Sequence, residues 1–218
     1  MSKMVFMIDG WFMRKRIYQL KAFYYNGPNI RNYCMHFLSD ADNLYRIFYY
    51  DTEPLTEKGH NPITGSFIDF GKTHVALQQK ELFASLRRTP NFALRLGKTI
   101  WRNNNWILRP EKIKHLISKR ITVDNLSEND VHPQIEQKAV DMKIGLDITL
   151  IAMKKLADLL IIVTGDADIV PALKLARREG MQVGLDPLGC PIQPELQEHV
   201  DFVATKIRSY HPLLPMDQ

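Results

Sequence analysis

The sequence has few cysteines and no long apolar run, which narrows the classes of protein it can belong to. Only Cys34 and Cys190 occur among 218 residues, too few for a disulfide framework or a thiolate zinc site. No apolar run approaches the roughly 18 residues of a membrane helix. The apolar stretch 4–8 is short and ends at Asp9, unlike a signal peptide. We therefore expect a cytoplasmic protein without a membrane partner.

Several families of catalytic motif are also missing. The chain has neither a Walker-type nor a GxGxxG glycine pattern, and no motif supports a Ser/His/Asp or Cys/His nucleophile. The histidines at positions 60, 74, 115 and 132 do not have metal-ligand spacing. With 45% hydrophobic and 24% charged residues, the composition is that of an ordinary globular protein. What remains to explain is the pattern of aspartates and of basic residues.

Strand and helix patterns alternate along the chain, which indicates an α/β fold with a mainly parallel sheet. Strands are predicted at 4–8, 44–50, 92–100, 159–164 and 181–185, and helices at 11–20, 28–38, 75–88, 141–156, 169–179 and 195–208. The stretch 109–136 is polar without a clean period and is predicted to be an insertion or a partly ordered loop. We expect one domain over 1–210, with a divergent basic insertion around 101–136 and a tail at 211–218.

Two aspartates follow the most strongly predicted strand, 159–164. Asp166 and Asp168 lie where this buried strand runs out towards a helix. Two carboxylates 4 Å apart repel by roughly 4 kcal/mol at an effective dielectric of 20, which a divalent cation or a shared proton would relieve. Ligands of open α/β sheets bind beyond the carboxyl ends of the strands, so this position favours a functional site.

Two further aspartates are predicted to reach the same edge. Asp9 ends the first strand, and Asp141 begins the helix that runs antiparallel into the strand at 159–164. Each alone could be only a turn or a helix cap. Together, Asp9, Asp141, Asp166 and Asp168 predict a Mg²⁺ or Mn²⁺ site, because these ions prefer oxygen ligands. Asp147, about 120° around the helix from Asp141, and Thr164 are expected to support the ligands rather than bind the ion.

The net charge of the chain is +5, and basic residues are concentrated in two blocks, 14–31 and 95–120. Residues 95–120 contain eight basic side chains and one acidic one, with Trp101 and Trp106 among them. Lysine and arginine mixed with aromatics suit phosphate binding and base stacking, although a solvated basic face would have the same composition. The residues predicted to bind nucleic acid are Arg14, Lys15, Arg16, Arg102, Arg109, Lys112, Lys114, Lys119 and Arg120.

Four short motifs resemble those of the NYN domains, a branch of the PIN-like nucleases. They are VFMIDG at 5–10, YYD at 49–51, KAVD at 138–141 and IVTGDADIVP at 162–171. The resemblance, which spans about 4–208, implies a Rossmann-like, three-layer PIN-type fold and metal-dependent RNA cleavage, with an endoribonuclease expected. It implies Asp9, Asp141, Asp166 and Asp168 as the acidic set, with Lys138 able to touch a phosphate. In such enzymes a metal-bound water attacks the phosphodiester.

The resemblance also leaves alternatives open. Many relatives carry Asn at the position of Phe12 and Ser at the position of Ala167, so a catalytically weak or inactive RNA-binding or partner-recruiting module is a second hypothesis. A phosphohydrolase of the haloacid dehalogenase type would need an aspartate two residues after Asp9, where the chain has Trp11. The RNA target, the preference for RNA over DNA, the number of metal ions and assembly into a homo-oligomer are not fixed by the sequence.

Overall fold

A computed structural model describes residues 2–207. Within them the strands are β1 (Ser2–Asp9), β2 (Asp42–Thr52), β3 (Lys58–His60), β4 (Phe67–Asp69), β5 (Phe92–Leu108), β6 (Val131–Lys138), β7 (Leu159–Val163), β8 (Gln182–Asp186) and β9 (Phe202–Val203). The α-helices are α1 (Gly10–Leu20), α2 (Gly27–Met35), α3 (His74–Arg88), α4 (Pro110–Ile117), α5 (Val140–Met153), α6 (Val170–Arg178) and α7 (Pro194–Glu198).

The main sheet has seven strands in the order β6-β5-β2-β1-β7-β8-β9. β1 is parallel to both β2 and β7, and the parallel pairing continues through β8 to β9. β5 and β6 form an antiparallel pair, and β3 and β4 form a separate antiparallel pair. The predicted α/β fold with a mainly parallel central sheet is confirmed.

Side chains from both faces of β1 explain why the sheet is the middle of three layers. Val5 and Met7 pack into a core with α5 and α6 on one face. Phe6 and Ile8 pack into a second core with α1, α2 and the end of α3 on the other. All four side chains are fully buried. A strand covered on both faces lacks hydrophobic alternation, and this is why β1 and β7 read as continuous apolar runs.

The chain forms two compact units. Of the described residues, the core unit comprises 2–51, 81–97 and 139–207, and the insert unit comprises 52–80 and 98–138. The single-domain organisation stays a prediction, and the predicted tail at 211–218 lies outside the described residues. No helix between residues 2 and 207 has the length and apolar character that crossing a membrane requires.

Two of the predicted elements are wrong. For the stretch 109–136, the partly ordered loop is wrong: Pro110 begins α4, where proline suits the first turn, and β6 follows as the antiparallel partner of the second half of β5. The alternative, an insertion, stays a prediction. The helix predicted at 195–208 ends at Glu198, and β9 follows; residue 208 lies outside the described residues. Asp201 explains this early end, because its carboxylate accepts the Val183 N–H of β8 at 2.7 Å and draws the chain into the sheet.

Candidate functional site

The carboxyl ends of β1, β2 and β7 lie side by side at the point where the strand order reverses. From β1 the chain continues to β2 on one side and later returns to β7 on the other. The parallel register pairs Asp9 with Tyr50 of β2, and Ile8 with Val163 of β7. Such a switch point is the usual ligand-binding crevice of an open α/β sheet. We call this region the carboxylate edge, defined by Asp9, Asp51, Asp141, Asp166 and Asp168.

Asp9 is the most perturbed acid of the carboxylate edge. It ends β1 and caps α1, where its Oδ1 accepts the Phe12 N–H at 3.0 Å. Its pKa is raised from 3.8 to about 6, chiefly by burial and further by the negative charges of Asp51 and Asp141. The hydrogen bond from Phe12 acts in the opposite direction. Asp9 is therefore a partly buried acid that a nearby cation would stabilise in its ionised form.

Asp51 belongs to the carboxylate edge although the sequence analysis did not select it as a site residue. Its side chain is only 1% exposed and is paired with Arg14, whose Nη1 donates at 2.7 Å. The negative charge of Asp51 contributes to the raised pKa of Asp9. The available signal was its position at the end of a strand, in the motif YYD. Arg14, predicted to bind nucleic acid, is engaged in this largely buried ion pair.

The other three acids approach from α5 and from the loop after β7. Asp141 lies in the first turn of α5, and its pKa is raised by burial and then by the charges of Asp166 and Asp168. Asp166 accepts the N–H of Asp168 at 3.0 Å, and its own N–H donates to Thr164 Oγ1 at 3.1 Å. Thr164 therefore shapes the loop. Asp168 does not cap α6, which has Ile169 at that position.

Like-charge interactions link the carboxylate edge from one end to the other. Besides burial, the charges of Asp51 and Asp141 raise the pKa of Asp9. In the same way, the charges of Asp166 and Asp168 raise the pKa of Asp141. Among residues 2–207, however, no three Asp, Glu, His or Cys side chains are placed together as a ready metal cage. The donor atoms still fit Mg²⁺ or Mn²⁺, since all are carboxylate oxygens. Asp141, Asp166 and Asp168 are exposed, so their side chains are free to change rotamer.

Asp147 does not join these acids by any hydrogen bond within the described part of the chain. Its Oδ2 accepts from the Tyr50 hydroxyl and from Arg95 Nε, both at 3.0 Å. Burial raises the pKa of the Tyr50 hydroxyl above its usual range, and the Asp147 carboxylate raises it further. Asp147 thus stabilises the packing of α5 against the sheet, and its predicted role in supporting the metal ligands stays untested.

The predicted nucleic-acid-binding residues differ in how firmly they are held. In the core unit, Lys15 is exposed, while Arg16 donates to Gln19 Oε1 at 3.0 Å and to the Leu188 carbonyl at 3.2 Å. In the insert unit, four of these residues have partners: Arg102 and Lys138 pair with Glu136, Lys112 pairs with Asp130, and Arg109 Nε donates to the Asn129 carbonyl at 2.6 Å. Lys114, Lys119 and Arg120 are exposed.

Phe12 occupies the position where the resemblance leads one to expect Asn, and its ring packs on the loop after β7. A Cβ built on Gly165 would come within 2.8 Å of Phe12 Cε2, so this contact requires glycine. The aromatic ring therefore sets how closely α1 approaches Gly165. The contact at this point is apolar.

Comparison with known families decides the classification. A family model described as the NYN domain matches residues 37–186. The chain belongs to the NYN domain family. The matched segment contains Asp51, Asp141, Asp166 and Asp168, while Asp9 precedes it. Membership places this NYN domain among the PIN-like nuclease families and indicates nucleic acid as its partner.

A solved structure supports the fold alone. The chain is similar to a protein of unknown function from Vibrio parahaemolyticus, with 12% sequence identity and a TM-score of 0.50. The similarity covers 94% of this chain and 92% of the other. Comparison with curated protein sequences yields no match.

Proposed function

We propose that this NYN domain is a divalent-metal-dependent ribonuclease that hydrolyses RNA phosphodiester bonds, acting as an endoribonuclease. The observation that carries the proposal is the chain of mutually repelling carboxylates at the switch point of the sheet. Burial and the nearby negative charges make the ionised form of Asp9 unfavourable in the folded protein. A site that binds a cation recovers this cost, so the arrangement suits metal-dependent chemistry.

Each acid has a definite role in this proposal. Asp9, Asp141, Asp166 and Asp168 would hold one or two Mg²⁺ or Mn²⁺ ions, and the bound metal supplies an activated water and charge stabilisation. Asp51 is paired with Arg14 and does not need to bind the ion; its negative charge contributes to the raised pKa of Asp9. Thr164 holds the backbone of Asp166 in place.

The basic residues would bind the RNA backbone. Lys114, Lys119 and Arg120 are exposed, and Lys15 offers a further charge on α1. Contacts with phosphates release counterions, so affinity should fall steeply with salt. RNA is the expected substrate, and DNA of the same sequence is the comparison that tests this preference.

The experiment is a cleavage assay on single-stranded and structured RNA with Mg²⁺, Mn²⁺ or EDTA. We expect cleavage with either metal and none in EDTA. Asp166→Asn should slow cleavage at least about 100-fold, which corresponds to about 2.7 kcal/mol of transition-state stabilisation. Asp40→Asn is the matched control, because Asp40 is an exposed aspartate that precedes β2, at the opposite end of that strand from Asp51. Wild-type rates for Asp166→Asn would refute the proposal.

A second candidate is an RNA-binding module with little or no catalysis. Two observations favour it: among the described residues no metal cage is preassembled, and the aromatic ring of Phe12 packs on the loop that carries Asp166. This candidate predicts RNA binding that survives EDTA and aspartate-to-asparagine substitution, with no cleavage by either metal. The same assay, run beside a binding measurement, separates the two.

A further inference from the structure

Trp11 lies at the carboxylate edge but has no part in the proposed metal chemistry. It is the second residue of α1, two positions after Asp9, so their Cα atoms are less than about 8 Å apart. Its side chain is 49% exposed, whereas Trp101 is only 4% exposed. A half-exposed indole this close to Asp9 is accessible to a ligand bound at the carboxylate edge.

A cation lies directly on this indole. Lys15, one turn further along α1, places its Nζ 4.8 Å from the ring centroid of Trp11. The indole is thus half-exposed and carries a positive charge against its ring. An aromatic face beside a lysine is the combination with which proteins bind single-stranded nucleic acids: the base stacks on the ring and the cation meets the phosphate.

The neighbouring residues hold the first turn of α1 in a fixed position. The Phe12 N–H donates to Asp9, and the Phe12 ring packs against Gly165, just before Asp166. On the other side of Trp11, Gly10 lies against Tyr49 so closely that a Cβ would come within 2.5 Å of that ring. Trp11 therefore lies on a helical turn that is held by its contacts with Asp9, Tyr49 and Gly165.

We propose that Trp11 stacks on an unpaired nucleobase of the RNA next to the carboxylate edge, and that Lys15 contacts the adjoining phosphate. This inference rests on the proposed function and adds to it a subsite for one unpaired base of a single strand. Bases inside a duplex are already stacked on their neighbours and are not available to the indole. Trp11 is a positioning residue, which places the strand and does no chemistry itself.

The test measures binding of the full chain to a labelled single-stranded oligoribonucleotide by fluorescence anisotropy, in EDTA so that no cleavage occurs. Trp11→Ala should weaken binding about 5- to 100-fold, the range expected when one stacked base is lost. Trp11→Phe should recover most of the affinity. Tyr18→Ala is the matched control, since Tyr18 is 85% exposed on the same face of α1 but about 10 Å further along the helix. It should change binding less than 2-fold.

A second measurement identifies the base. Oligonucleotides with one abasic position, moved along the strand, should bind wild type more weakly at one position and bind Trp11→Ala equally at all positions. Duplex RNA should bind both proteins alike. Equal loss for Trp11→Ala and Tyr18→Ala, or no abasic position that matters, would overturn the proposal. Unchanged RNA binding by Trp11→Ala would also overturn it.

The outcome is independent of cleavage. If stacking fails while Mn²⁺-dependent cleavage persists and Asp166→Asn abolishes it, only the role of Trp11 is wrong. If Trp11 stacks on a base but neither metal supports cleavage, the ribonuclease proposal fails and the binding module remains.

Discussion

Replacing Asp9 by asparagine should make the metal-free protein more stable at neutral pH. The pKa of Asp9 rises from 3.8 to about 6 on folding, so the folded state holds this proton more tightly than the unfolded state. That advantage is fully present below pH 4 and is lost as the pH rises through 6. At pH 7.5 the ionised carboxylate therefore costs about 3 kcal/mol relative to the protonated form.

Asparagine removes this cost and keeps the helix cap. Its side-chain oxygen can still accept the Phe12 N–H that Asp9 accepts at 3.0 Å. A neutral acceptor makes a weaker hydrogen bond than a carboxylate, so the net gain should be about 1 to 3 kcal/mol. For a chain of this length the melting temperature should rise by about 3 to 10 °C.

Urea unfolding in EDTA at pH 7.5 and pH 4.5 measures the effect. At pH 4.5 the folded wild type keeps its proton, so the gain of Asp9→Asn should shrink to roughly 1 kcal/mol or less. Asp40→Asn should change the free energy of unfolding little at either pH. Adding Mn²⁺ should stabilise wild type more than Asp9→Asn. A loss of stability at pH 7.5, or an equal gain at both pH values, would refute the electrostatic account of this site.

Two further predictions concern the ion pair of Arg14 and the basic residues of the insert unit. Arg14→Gln leaves Asp51 buried without its 2.7 Å partner, which should cost about 3 kcal/mol in urea unfolding; Asp51→Asn in the same chain should restore much of this, and a cost below about 0.5 kcal/mol would show that the pair is not needed. Replacing exposed Lys119 and Arg120 by glutamine should reduce the salt dependence of single-stranded RNA binding, with a slope about 1.4 smaller for two lost phosphate contacts. An unchanged slope would remove both residues from the interface.

The positions of Asp9 and Asp166 could be predicted from the sequence because Asp9 ends, and Asp166 follows, a strand that is buried on both faces. Such strands appear as apolar runs, and their ends are local features. Asp51 was harder to select, since its importance depends on β2 being the neighbour of β1, which only the sheet order establishes. Placing Asp141 beside Asp166 and Asp168 required the direction of the helix that Asp141 begins, and its role as a metal ligand stays a prediction.

The errors arose where long-range contacts override local preference. β6 alternates polar and apolar residues at the end of the sheet order, and it becomes a strand through pairing with β5. Asp201 ends the last helix by accepting a hydrogen bond from Val183, which is 18 positions earlier in the chain. Neither partner lies within the window that a periodicity argument examines.

The two residues after Asp9 differ sharply in their tolerance of mutation. Gly10 lies against Tyr49, whose hydroxyl is 3.0 Å from that of Tyr25, so almost any replacement would displace buried aromatic rings. Trp11 is half-exposed, so exchange for polar residues should cost folding much less than any replacement of Gly10. In a library selected only for folding, position 10 should therefore stay glycine while position 11 varies freely. In a library selected for RNA turnover, any retention of an aromatic residue at position 11 would reflect function and not stability.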